Sequence, residues 1–179
     1  MLKLRTFSIF SVCLTLLCAN GAVAGPFTNK NKLGDLFLSG SVFYAYGMTM
    51  HEKSWTAALQ LTESIVAAQA ATELLKRTVH EERPNRSDDL SFPSGHASGA
   101  FSGAMFVHKR YGWKAAIPPY IMAGVVGWSR VQARAHYWHD VLGGAAVSAL
   151  FTWVLVDSEN SLSVSADTSG AQLNFSFKF

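Results

Sequence analysis

The chain has 179 residues, 49% of them apolar and only 15% charged, with 15 Lys and Arg set against 12 Asp and Glu. Charge this sparse lies below the roughly 25% of an ordinary soluble domain and, with so much apolar content, excludes a disordered chain. A net charge of +3, two units of which come from Lys3 and Arg5, excludes a nucleic-acid binder that works through a basic field.

The first segment reads as an export signal, residues 1–24. Lys3 and Arg5 begin it, Phe7 to Cys18 is apolar, and Ala22-Val23-Ala24 offers a small-residue cleavage site before Gly25. Both cysteines, Cys13 and Cys18, fall inside it, so a mature chain has no disulfide and no zinc-thiolate site. An exported chain without cysteine suggests the periplasm.

A helical domain is expected over 25–156. After Leu33-Gly34-Asp35, the run Leu36 to Met50 carries no charge. Ser54 is placed to cap a long helix from Trp55 to about Val79, whose Ala58, Leu61, Ile65, Ala68, Ala71 and Leu75 repeat in steps of three and four. A polar loop, Glu81 to Leu90, leads to helical runs at Ala97 to Lys109, Ala115 to about Trp128, and Val141 to Val156. These apolar runs fall short of the roughly 20 residues of a membrane span, or are broken by Pro or Gly. They favour helices buried against one another, with contact to a membrane surface, over a polytopic arrangement. The remainder, 157–179, alternates Leu162, Val164 and Ala166 with polar residues, turns near Asp167 to Gly170, then alternates Leu173, Phe175, Phe177 and Phe179. That is a β-hairpin pattern, suited to covering the core or to meeting a membrane or partner.

Three clusters carry chemistry. Lys76 and Arg83 stand seven residues apart before Pro84, two cations near one helix end that need either an anion or carboxylates such as Glu81 and Glu82. In "FPSGHAS", Ser94 is an N-cap and Gly95 lets backbone approach a ligand. His96 then lies in the first turn of a helix whose free N–H groups favour an anion. In "SRVQARAHYWHD", Arg130 precedes His136 by six residues and Asp140 follows it by four. An aspartate there either holds one imidazole nitrogen, leaving the other as nucleophile or base, or simply caps the helix at Val141. His136, His139 and Asp140 also admit a metal reading, but no zinc-like spacing or HExxH accompanies them.

Taken together, Lys76, Arg83-Pro84, Pro93-Ser94-Gly95-His96, Ser129-Arg130, His136 and Asp140 resemble the signature of the type-2 phosphatidic acid phosphatase superfamily, which includes class A acid phosphatases and vanadium haloperoxidases. The resemblance implies an all-α bundle of five to six helices with its active site at one end, followed here by the hairpin-like tail. It implies a phosphatase that needs no cofactor and no metal, acting on a phosphorylated lipid or a small phosphoester. Lys76, Arg83, Arg130, Ser94 and Gly95 would hold the phosphate, His136 would attack phosphorus, His96 would protonate the leaving group and Asp140 would orient His136. Two other readings stay open: a vanadate-dependent haloperoxidase, and a non-catalytic phosphate-binding surface protein. Arg134, His139, His80 and Arg86 are secondary candidates for contact with substrate, and Trp128, Tyr137 and Trp138 for an apolar entrance.

Overall fold

The computed structural model describes residues 29–158, 162–167 and 170–175. The export signal, Phe177 and Phe179 lie outside the described residues. Among the described residues five helices precede a two-stranded hairpin: α1 (Asn29–His51), α2 (Trp55–Val79), α3 (Gly95–Tyr111), α4 (Trp113–Gln132), α5 (Trp138–Leu155), β1 (Leu162–Asp167) and β2 (Gly170–Phe175). The fold is therefore an all-α bundle with an antiparallel strand pair after it, in register from Leu162 opposite Phe175 to Asp167 opposite Gly170.

Helix α3 is the axis of the bundle, packing against α1, α2, α4 and α5. A helix enclosed on so many sides must have a slim circumference. Its sequence provides one: Ala97, Ser98, Gly99, Ala100, Ser102, Gly103 and Ala104 are all buried. At Gly103 a methyl group would lie 2.9 Å from the Ser41 carbonyl oxygen, so α1 closes on α3 only because that carbon is missing. Hydroxyls satisfy what this packing desolvates. Ser41 donates to the Ala100 carbonyl at 2.8 Å, and Ser148 of α5 donates to the Ser98 carbonyl at 2.6 Å. Larger side chains, Leu61, Ile65, Phe106 and Val107, fill the end of the bundle away from the start of α3.

The expected stripe on α2 is present at Leu61, Ile65 and Ala68, with Ala57 and Thr72 buried in place of Ala58 and Ala71. Ser54 caps α2 and Ser94 caps α3, each accepting from a backbone N–H three residues on. Helix α4 is longer than the sequence implied and contains both Pro118 and Pro119. Pro119 cannot bond the Ala115 carbonyl one turn back, and Tyr44 donates its hydroxyl to that oxygen instead, at 3.2 Å.

The last helix begins at Trp138, not Val141. Tyr137 is its N-cap, so Asp140 sits inside the first turn, where it accepts from the Tyr137 backbone N–H at 2.8 Å. None of the helices among the described residues is long and apolar enough to cross a membrane. The outer faces are nevertheless apolar, with Leu36, Phe43, Trp55, Ile121, Trp138 and Trp153 all more than half exposed.

Candidate active site

The chain brings the three clusters together at the end of the bundle where α2 stops and α3 and α5 start. Helix α2 ends at Val79 because His80 takes a left-handed conformation, φ 51°, and its N–H turns back to the Lys76 carbonyl. Arg83 therefore lies in the loop beyond the helix rather than two turns along it. It does not pair with Glu81 or Glu82. Its Nε donates to Asp88 at 2.6 Å, and Nη1 donates to the Ala135 carbonyl at 3.2 Å. Asp88 holds the guanidinium from the side, and its own carboxyl is kept low, burial notwithstanding, by Arg83 and the Leu90 N–H.

Lys76 extends from the last turn of α2 and donates to the Leu90 and Ser91 carbonyls at 2.8 and 3.3 Å. Burial, with the adjacent Arg83 charge, pushes its ammonium down to about 8.

His136 is buried and precedes α5 by two residues, so its contact with Asp140 spans a helix start, not a continuous helix. Its Nδ1 faces Asp140 Oδ2 at 3.3 Å while Nε2 faces Arg83 Nη1 at 3.3 Å. Arg83 can only donate, which assigns the lone pair to Nε2 and the proton to Nδ1. Burial, reinforced by the charges of Lys76 and Arg83, lowers the imidazole to about 4 against the pull of Asp140, so it is neutral at pH 7.

Asp140 is fully buried. Burial raises its carboxyl, but bonds to Oδ2 from His136, from Ser91 at 2.5 Å and from the Tyr137 N–H outweigh that and hold it below the usual carboxylate value.

On the other wall, Arg130 is buried at the C-terminal end of α4 and donates through Nη2 to Asp35 Oδ1 at 3.2 Å. His96 Nε2 lies 3.2 Å from that same oxygen. Burial lowers His96, and Arg130 and Arg83 lower it further, while Asp35 raises it. A methyl group at Gly34 would collide with Ser129 Oγ and Arg130 Nη2, so the first turns of α1 lie directly against this wall. The positive charge of Arg83 depresses Lys76, His96, Arg130 and His136 alike, so all four groups lie within reach of its charge and share the space about it.

Ser94 and Gly95 open α3 beneath that space, and the Ser94 N–H is fixed to the Asp140 carbonyl at 2.9 Å. A methyl group at Gly95 would meet Gln69 and Thr72 no closer than 3.7 Å, so packing of the protein itself does not demand glycine there.

Three residues that complete the site were not singled out from sequence: Asp35, Asp88 and Ser91. The local hint for Asp35 is its position, one carboxylate beside Gly34 at the edge of an uncharged run. Of the secondary candidates, His80 pairs with Asp89 at 3.0 Å, Arg86 with Glu82 at 3.7 Å, and His139 with Glu81 at 2.7 Å.

The chain is similar to known phosphatases in sequence and in fold. A lipid A 4'-phosphatase of Helicobacter pylori is 41% identical over 73 residues, covering 41% of this chain and 37% of that enzyme. A lipid A 1-phosphatase of Porphyromonas gingivalis is 38% identical over 71 residues, covering 38% of this chain and 16% of that one. The chain thus spans well under two thirds of the length of these curated relatives. The crystal structure of a transmembrane PAP2-type phosphatidylglycerolphosphate phosphatase from Bacillus subtilis superposes with a TM-score of 0.56 over 83% of this chain and 84% of that one, at 24% identity, and so shares the fold. The family description of the PAP2 superfamily matches residues 57–161, which contain every signature position from Lys76 to Asp140; this chain belongs to the PAP2 superfamily.

Proposed function

We propose that the protein is a phosphatase that hydrolyses a phosphomonoester or pyrophosphate of a lipid through a phosphohistidine intermediate, without a metal in the reaction. The observation that carries this reading is His136, buried and neutral, with Nδ1 on Asp140 and its Nε2 lone pair turned to Arg83. Lys76, Arg83 and Arg130 would clamp the phosphoryl oxygens, aided by Ser94 and the first N–H groups of α3 at Gly95. His136 Nε2 attacks phosphorus as the P–O bond to the alcohol breaks, and Asp140 stabilises the resulting imidazolium. His96 gives its proton to the leaving alkoxide, then takes one from the water that attacks the phosphohistidine, and phosphate departs. The charge of the transition state spreads over oxygens that meet cations and amides already in place.

A lipid substrate is supported by two independent features. The curated relatives are lipid phosphatases. Trp128, Tyr137 and Trp138, all exposed, stand one or two residues from Arg130 and His136, so apolar surface adjoins the phosphate end. Lipid A phosphate and phosphatidylglycerol phosphate are the first candidates, met at a membrane surface on the periplasmic side after export.

The test is phosphate release from a panel of lipid phosphates beside soluble monoesters, in membrane and soluble fractions. His136→Ala should abolish release, and wild type quenched in alkaline detergent should carry acid-labile, alkali-stable label from a radioactive phosphate donor. Near-wild-type turnover by His136→Ala would sink the mechanism. Turnover of soluble esters alone would sink the lipid assignment.

A further inference from the structure

Beside the phosphate site, on the far side of Asp140, lies a second group of ligand-bearing side chains. Glu81, His139 and Asp140 each offer one ligand atom, and the three atoms lie within 4.8 Å of one another. His139 Nε2 stands 2.7 Å from Glu81 Oε1 and 3.0 Å from Asp140 Oδ1.

The two oxygens of Asp140 have unequal surroundings. Oδ2 receives Ser91, His136 and the Tyr137 N–H. Oδ1 is fully buried with no hydrogen bond at all, because the single Nε2 position of His139 is directed at Glu81. A buried carboxylate oxygen without a donor is costly, and a single N–H aimed at one carboxylate leaves the other without a well-directed bond. A cation taking the place of that N–H, with the imidazole proton on Nδ1, would satisfy both carboxylates and the Nε2 lone pair together.

From this geometry we propose that Glu81 Oε1, His139 Nε2 and Asp140 Oδ1 form a binding site for a divalent transition-metal cation of the zinc class. One nitrogen and two carboxylate oxygens are a zinc-like donor set that leaves an outer position for water. The ligands are held in advance. The His139 ring stacks on Tyr137 with centroids 5.2 Å apart and planes 11° apart, and lies 6.2 Å from Phe92. Asp140 is fixed in the first turn of α5, and the Ser91 N–H ties the Glu81 carbonyl at 2.9 Å. An entry path exists, since the His139 side chain is 56% exposed and Glu81 30%. The positive end of α5 opposes a cation, and two carboxylates offset it.

The site is not the one that would turn phosphate over. Its connection to that chemistry is Asp140, which would bridge the cation through Oδ1 and His136 through Oδ2. A cation drawing on the carboxylate leaves less negative charge to stabilise the His136 imidazolium, so occupancy slows turnover. That consequence rests on the phosphatase reading; the binding site does not.

Titration calorimetry of the intact, untagged chain with zinc chloride tests the site directly, with cobalt(II) absorption as a second readout. The expected result is one equivalent bound per chain and an intense visible cobalt band. His139→Ala and Glu81→Gln should each weaken zinc binding by at least roughly tenfold and remove the band, while His80→Ala, which alters a separate exposed histidine–carboxylate pair with Asp89, leaves both unchanged. Zinc should then inhibit wild type more than His139→Ala. Unchanged zinc affinity in both ligand variants, each folded by circular dichroism, overturns the site, as does the absence of heat and cobalt band with wild type. Loss of the phosphatase reading would leave the isotherms as they are.

Discussion

Asp35 accepts from Arg130 across 95 positions of sequence, and the oxygen it uses, Oδ1, is also the one facing His96 at 3.2 Å. One carboxylate on α1 therefore touches a phosphate-binding candidate and the proposed acid at once. Its negative charge favours the protonated imidazole that must donate to the leaving group. Asp35→Asn removes that charge and lowers the His96 titration. The expected outcome is a fall in kcat of about tenfold, with the alkaline limb of the kcat profile moved to lower pH. An Asp35→Asn profile that superposes on wild type would remove Asp35 from the chemistry.

Lys76 gives a pH signature on binding. Its ammonium, held down to about 8 by burial and Arg83, is charged below that pH and neutral above it. Inorganic phosphate is already a dianion there, so its inhibition constant should rise as pH climbs from 8 to 10. Lys76→Arg keeps its charge throughout and should flatten that rise. The check is phosphate inhibition across the range for both proteins.

His136 predicts how stability responds to acid. Its folded value, about 4, lies below its unfolded value near 6.5, so between the two the unfolded chain binds the extra proton. Stability is therefore fully present above about pH 6.5 and is lost as pH falls towards 4. Melting temperatures measured from pH 7 to 4 should decline, and decline less in His136→Asn.

Ser91 separates positioning from catalysis. It donates to Asp140 Oδ2, one of the contacts that settle the carboxylate under His136. Ser91→Ala should reduce unfolding stability by about 1–2 kcal/mol and lower kcat with little change in KM. Denaturant melts beside steady-state kinetics provide the check. A change in KM alone would place Ser91 on the substrate instead.

What the sequence reveals here is governed by distance along the chain. Ser54 and Ser94 were readable as caps because a cap is a contact over three residues. The stripe on α2 was readable because helical period is local too. His136 and Asp140 were readable as partners, but the helix start between them was misplaced. An Asp before a Val looks like an N-cap, whereas Tyr137 takes that position and Asp140 the third one after it. For Arg83 the sequence offered an anion or its neighbours Glu81 and Glu82; the loop turns it to Asp88 instead of those neighbours. Asp35 was out of reach altogether, since its value lies in the packing of α1 against α4. The clusters themselves were legible because phosphate chemistry needs particular side chains; the supports for those side chains come from wherever the fold has a carboxylate to spare.

The slim axis helix has an implication for how this protein can vary. Its first residues are the proposed frame for phosphate, and the rest of it is enclosed by α1, α2, α4 and α5, so almost any enlargement along α3 is felt by several neighbours together. Adaptation to a different alcohol therefore has little room near phosphorus. It has ample room on the outward faces, where side chains such as Leu36, Ile121 and Trp153 can change without moving α3. The molecule is in this sense a fixed chemical head with an adjustable coat, and new substrates would be acquired from the outside inward.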